Sequence, residues 1–252
     1  MTKVKNAIQL YTVRADAAQD LYGTLRAIAE MGYDGVEFCG LFGHEAAEVR
    51  GWLDGLGLVA VSNHVGLDNL ADPAAVSQTC KVLGCGFATL GFLSESQRHD
   101  KPAFAQTVET VRAAAEALKA EGLALAYHNH NFEFQNAEGG NGLALLLEAV
   151  PGLNAQFDTG WLAIGGQDPL LWLDQYAGRY TTVHLKDYLP NEDLGYEFCP
   201  IGMGGTLDYA AIVRKAVQNG AGWIIVDQDD DAQRTALEAA KLSLDFLRSL
   251  GC

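Results

Sequence analysis

The stretch PAFAQTVETVRAAAEALKAEGLALAYHNH, Pro102 to His130, decides the fold, because a helical period gives way to a strand within it. Pro102 to Glu121 carries apolar residues at helical spacing, Gly122 follows as a C′ glycine would, and Leu123 to His128 is a short apolar run ending in polar residues. A helix feeding a short buried strand is half of a βαβ unit. The same alternation recurs outward from this stretch to both ends of the chain. Strands are expected at Ala7 to Tyr11, Gly35 to Phe38, Val59 to Asn63, Phe87 to Gly91, Ala155 to Phe157, Thr181 to Lys186 and Trp223 to Val226. Helices are expected at Leu21 to Met31, Glu45 to Leu56, Ala74 to Leu83, Leu143 to Val150, Pro169 to Tyr176, Tyr209 to Asn219 and Ala232 to Leu250. Asp72-Pro73 and Asp168-Pro169 read as N-cap followed by first-turn proline.

Eight such pairs in 252 residues predict an α/β chain folded as a single (β/α)8 TIM barrel, one domain over 1–252. A doubly wound open sheet is the rival, but the first strand and turn, IQLYTVRAD, lack the GxGxxG fingerprint of a dinucleotide fold. No linker or low-complexity tract interrupts the pattern. Hydrophobic residues make up 49% and charged ones 19%, a composition that excludes disorder. Seventeen Lys and Arg against 32 Asp and Glu give a net charge of -15, which argues against a nucleic-acid partner. Cys39, Cys80, Cys85, Cys199 and Cys252 form no CxxC pattern, so neither a disulfide framework nor a thiolate zinc site is expected. The N-terminal MTKVKNAIQLYTVRAD lacks a long apolar stretch, so a cytoplasmic protein without a membrane partner is expected.

Polar residues cluster where the expected strands end, which is where barrels of this kind build their sites. Glu37 ends the second strand and His64 follows the third. The fifth runs into Tyr127-His128-Asn129-His130-Asn131-Phe132-Glu133, the sixth into Asp158, the seventh through His184 and Lys186, and the eighth into Asp227. Alternation puts His184 and Lys186 on one face, and His128 and His130 on one face. Carboxylates and imidazoles converging from separate strands suit a divalent cation such as Mn2+, Mg2+, Co2+ or Zn2+, and the lack of thiolates favours a Lewis-acid site. Each residue also has a plain structural reading. His64 can be a bonded rim histidine, Glu37 a rim pair, Asp158 and Asp227 helix N-caps, and Lys186 a partner of Asp187. Gly202-Met203-Gly204-Gly205 can cradle a phosphate or hydroxyl with its backbone, or simply turn the chain. Trp161 can stack on a sugar face.

In GYDGVEF, YHNHNFEF, FDTGW, VHLKD, GMGGTLDY and WIIVDQDD the chain resembles, over nearly its whole length, the xylose isomerase-like sugar phosphate isomerase/epimerase superfamily, which includes tagatose epimerases and inosose dehydratases. The resemblance implies a metal, Mn2+ foremost, held by Asp158, His184 and Asp227 with Glu133 or a strand-five histidine. It departs at three places. Tyr127-His128 stands where similar epimerases have Glu, so the first ligand is His128, His130 or Glu133. Asp227 stands for the usual Glu, and Trp161 for a substrate-contacting His. The implied activity is a metal-dependent keto-sugar isomerase or epimerase that abstracts a proton beside a chelated carbonyl and passes through an enediolate. His128, His130 and Glu133 are the expected bases, Lys186 a proton donor, and Glu37, His64 and Trp161 the substrate contacts. The same enolate can instead expel a β-substituent, which makes a lyase on an inosose or 3-keto-glycoside the alternative, with a non-catalytic sugar-binding barrel as a third reading. The expected partner is a small sugar or keto-sugar, and a homo-oligomer is left open.

Overall fold

The computed structural model describes residues 4–135 and 140–252. Strand β1 (Lys5–Gln9) passes through helices α1 (Arg14–Gln19) and α2 (Leu21–Met31) to β2 (Gly35–Phe38), and α3 (Ala46–Leu56) leads to β3 (Val59–Gly66). Next come α4 (Pro73–Leu83), β4 (Phe87–Phe92), α5 (Phe104–Ala120), β5 (Ala124–His128), α6 (Gly142–Ala149), β6 (Asn154–Asp158), α7 (Thr159–Ile164) and α8 (Pro169–Gln175). The last part holds β7 (Thr182–Leu185), β8 (Asp187–Asn191), β9 (Gly195–Cys199), α9 (Tyr209–Gln218), β10 (Trp223–Val226) and α10 (Ala236–Ser249).

Eight parallel strands close in the order β1-β10-β7-β6-β5-β4-β3-β2, so the fold is the (β/α)8 TIM barrel that the alternation predicts. Closure is made by β1 against β10, with Lys5 opposite Trp223 and Ile8 opposite Val226. Parallel neighbours require crossover helices, and those helices cover the outer face of the sheet. Every residue of β2 and of β7 is accordingly buried. The helices supply apolar stripes to match: α2 buries Leu21, Leu25 and Ile28, and α10 buries Ala240, Leu244 and Leu247. Inside the barrel, Ala7, Val61 and Ile225 pack together, with Phe87 and Trp223, the first residues of β4 and β10, against them. Alternation places Gln9 and Asp227 one layer above Ala7 and Ile225 on the same inward face, so a plug of apolar side chains supports a polar mouth.

The cap signals hold. Asp72 accepts the Ala75 N–H and Asp168 that of Leu170, each a contact worth about 1 kcal/mol. Several boundaries differ from expectation. β1 starts at Lys5 and stops at Gln9, because the Thr12 N–H turns back onto the Gln9 carbonyl. α10 starts at Ala236, where Thr235 and Glu238 cap each other, leaving 232–235 outside the helix. The short helices α1 and α7 and the β8–β9 hairpin were not expected; the hairpin arises directly after Lys186 and stands apart from the barrel sheet. Among the described residues no helix is long and apolar enough to cross a membrane.

Candidate active site

Four strand ends bring four ligand-type side chains together. His128 closes β5, Asp158 closes β6, His184 lies in β7 and Asp227 follows β10; one ligand atom from each lies within 4.8 Å of all the others. Register explains part of this convergence, since Asp158 pairs with His184 across β6 and β7. The Asn129 amide fastens β5 to β6, accepting the Asp158 N–H at 3.0 Å and donating to the Asp158 carbonyl at 3.3 Å. Asp158 is also an N-cap: one carboxylate oxygen accepts the Trp161 N–H at 2.9 Å to start α7. Gly160 is required there, because a Cβ at that position would lie 2.4 Å from the Lys186 carbonyl. Asp227 is no helix cap, since α10 is capped by Thr235.

The chemistry of this donor set fits a cation. His128 Nδ1, Asp158 Oδ2 and Asp227 Oδ1 are buried without hydrogen-bond partners, and buried polar atoms are rarely left so. His184 is held from both sides, with Glu37 Oε1 2.6 Å from Nε2 and Asp227 Oδ2 3.2 Å from Nδ1. A carboxylate behind a ligating imidazole fixes its tautomer and ring plane, which is the arrangement metal-binding histidines need. Glu37 is therefore fully buried support rather than a rim group. It also accepts from Gln9 at 2.7 Å and Gln156 at 2.6 Å, binds Ser62, and lies 2.9 Å from His64 Nε2. A second trio, His64 with His128 and His184, is close enough to share a cation. His64 Nε2 is already engaged by Gln156 at 2.8 Å, so the carboxylate-containing group is the better donor set.

Charge in the group is organised by burial and neighbours. Burial opposes a charged imidazole, yet Glu37 and Asp227 together raise the His184 pKa to about 10, so a cation bound at Nδ1 would have to displace the proton shared there with Asp227 while Glu37 keeps the one on Nε2. Burial also opposes the Glu37 carboxylate, but His64 and His184 beside it hold that carboxyl well below its ordinary range. Lys186, fully buried, sets its ammonium 3.3 Å from Asp227, 3.1 Å from Asp229 and 3.9 Å from Asp158. Those three carboxylates keep its pKa raised against the burial that would lower it. Burial, helped by His184, keeps His128 neutral, and burial with the Lys186 charge lowers the His130 pKa to about 3. Burial raises that of Asp229.

A cavity of about 460 Å³ opens over this group and is lined by His64, His128, His130, Asp227 and Asp229 among others. Lys186 and Trp161 stand behind its wall. The Trp161 ring is enclosed by His130, Tyr196, Phe198 and the Lys186 ammonium, so the hairpin covers the face on which a sugar was expected to stack. Nor does the structure bring Glu133 to the metal-type group. A single 3-10 turn, Phe132–Phe134, swings its side chain back to accept the Tyr127 hydroxyl at 2.6 Å and the His130 N–H at 2.9 Å. The glycine loop 202–205 is a cradle already filled from within. Asp187 accepts the N–H groups of Gly202 and Gly204 at 2.8 and 2.9 Å, so that backbone does not face a substrate phosphate. Sequence reading did not single out Gln9, Gln156, Asp229, Tyr11 or Phe92. Period-two alternation is the signal that points to three of them: Gln156 stands two residues before Asp158, Asp229 two after Asp227, and Gln9 two after Ala7.

Comparison with known proteins agrees with this architecture. The family described as "Xylose isomerase-like TIM barrel" matches residues 25–250. An inosose dehydratase of Geobacillus kaustophilus is 26% identical over 247 residues, covering 82% of this chain and 79% of that enzyme. One from Mesomycoplasma hyopneumoniae is 29% identical over 156 residues, covering 52% of this chain and 49% of its own. A crystal structure of a sugar phosphate isomerase/epimerase from Parabacteroides distasonis superposes with a TM-score of 0.79 at 22% identity, over 98% of this chain and 95% of that one, which is a likeness of fold. With a match that runs from α2 to the end of α10, the chain belongs to the xylose isomerase-like TIM barrel family.

Proposed function

We propose that this chain is a metal-dependent dehydratase acting on a ketone-bearing sugar or cyclic polyol, with His128, Asp158, His184 and Asp227 as ligands. The observation that carries the reading is the buried group with three ligand atoms that make no hydrogen bond, under an open cavity. When bound, a divalent cation, Mn2+ in this proposal, supplies Lewis-acid polarisation of the substrate carbonyl. Everything else falls to the chain's own side chains. His130, lining the cavity, takes the proton from the carbon beside the carbonyl. Burial and the Lys186 charge lower its pKa in the free protein, so this role requires that the bound substrate and the negative charge growing on it raise that pKa. Asp229, raised in pKa and held at Oδ2 by the Lys186 ammonium, delivers a proton to the departing hydroxyl. Glu37 keeps the His184 ring in place, and Lys186 balances the carboxylates from behind the wall.

Elimination needs one base and one acid, roles that an imidazole and a carboxyl facing the same cavity can divide. The curated relatives named as inosose dehydratases support the same choice. Five free thiols accord with a reducing, cytoplasmic setting. The test is NMR of metal-loaded protein with inosose in deuterium oxide. Loss of water to an enone is expected; deuterium in an intact or epimerised ketone without enone would replace elimination by isomerisation. His130→Ala is expected to slow turnover about 10^2 to 10^4-fold. Sugar binding with no proton exchange and no bound metal would leave a non-catalytic barrel.

A further inference from the structure

We infer that Cys80 and Cys85 form a redox modification site, where hydrogen peroxide converts the two thiols into a disulfide that staples the end of α4 to the start of β4. The end of the helix creates the pair. Gly84 takes the left-handed conformation (φ +79°) at which α4 stops, the Gly84 N–H returns to the Lys81 carbonyl at 3.2 Å, and the Cys85 N–H returns to that of Cys80 at 3.0 Å. This is a Schellman arrangement, whose two closing positions commonly meet through apolar side chains. Both positions are cysteine here, so two thiols make the contact that seals the helix end. Cys85 Sγ lies 3.5 Å from the Cys80 carbonyl, and each thiol is close enough to set the acidity of the other. The backbone bond between the two residues holds them on the scale of a disulfide, which spans roughly 4.4–6.8 Å between Cα atoms.

Both thiols are free and lie at the rim where the strands begin, opposite the strand ends that carry His128 and Asp158. Contact with the Cys85 thiol lowers the Cys80 pKa against the burial that raises it, while the Cys80 thiol and burial raise that of Cys85. The thiolate is the reactive form, which makes Cys80 the nucleophile and Cys85 the resolving thiol. Cys80 Sγ attacks one peroxide oxygen, the O–O bond breaks, and water departs, leaving a sulfenic acid. Cys85 Sγ then attacks that sulfur, the S–O bond breaks, and the departing hydroxide takes the Cys85 proton. Two thiols and one peroxide thus give one disulfide and two waters. Cys80 is 0% and Cys85 3% exposed, so the oxidant enters when the last turn of α4 opens. A small oxidant is required for that reason. Cys85 stands between Gly84 and Gly86, and a Cβ on Gly86 would meet nothing within 4 Å, so the chain beside the pair is thinly covered.

The test is peptide mass spectrometry of the folded chain after hydrogen peroxide, with remaining thiols alkylated in denaturant before a non-reducing tryptic digest. Lys81 stands between the two cysteines, so the disulfide joins peptide 51–81 to peptide 82–98, and a thiol reductant separates them. This link is expected to be the first disulfide to form, while the near-ultraviolet circular dichroism of the fold is intact. In Cys85→Ser the sulfenic acid on Cys80 has no resolving thiol and should be trapped by dimedone. In Cys80→Ser the trapping at Cys85 should be about tenfold weaker, because that thiol gives little thiolate. Recovery of both cysteines alkylated after the others have oxidised, oxidation of either without the link, or a link that forms only once the fold is lost would overturn the inference. So would equal trapping in the two variants. The experiment uses neither metal nor sugar, so its result stands apart from the proposed dehydration.

Discussion

At the residue scale the site is governed by who stands behind whom. Glu37 does not reach the cavity, yet it contacts His184, His64, Gln9, Ser62 and Gln156 at once. Glu37→Gln is expected to weaken Mn2+ binding about 10- to 100-fold by freeing the His184 ring, as measured by metal titration; unchanged affinity would sink the supporting role. Glu133 acts on a different partner, tying the His130 backbone to the Tyr127 hydroxyl. Burial raises its pKa from 4.5 to about 8. A carboxyl raised on folding contributes stability that is full below the unfolded value and is lost as the pH climbs to the folded one. Wild type should therefore lose stability relative to Glu133→Gln between pH 4.5 and about 8, by on the order of a few kcal/mol, and run parallel above that. Urea unfolding at a series of pH values checks this, and curves parallel throughout would refute it. From sequence, Glu133 was equally eligible as ligand or base. The type of residue was legible, but the direction imposed by a three-residue 3-10 turn was not.

At the scale of elements, the barrel strands and main helices were legible because each is written in a local period. The β8–β9 hairpin was not, because its strands pair only with each other and fall outside the strand-helix alternation. It decides the fate of Trp161 by packing Tyr196 and Phe198 against that ring. The hairpin is fastened to the following loop by Asp187, which accepts from Tyr188, Gly202 and Gly204. Gly204 has no room for a side chain, since a Cβ would lie 2.2 Å from the Tyr188 carbonyl. Asp187→Ala should leave these N–H groups without their acceptor, at about 1–3 kcal/mol for each that stays buried. Hydrogen exchange at Gly202 and Gly204 should speed up in that variant; unchanged protection would show that the loop is held by something else.

At the scale of the whole molecule, closure of the barrel concentrates buried carboxylates at one mouth of an already acidic protein, which makes that mouth a place where a cation stabilises the fold. Mn2+ at a hundredfold over its dissociation constant should add about 2.7 kcal/mol, roughly 5–10 °C in Tm, with reversal by chelator. The absence of any shift with Mn2+, Mg2+, Co2+ or Zn2+ in scanning calorimetry would remove the metal from the account. The sequence by itself determined the eight-fold alternation, most element boundaries to within a few residues, and the strand ends at which His128, Asp158, His184 and Asp227 stand. Those features depend on period and on neighbours a few residues away. Only the tertiary structure decided that Glu37 backs His184 across 147 positions of chain, that Glu133 turns from the metal-type group, and that Asp229, Tyr11 and Phe92 line the cavity. Such contacts exist only once strand register and barrel closure have fixed which distant side chains share an interior, and no local period encodes that.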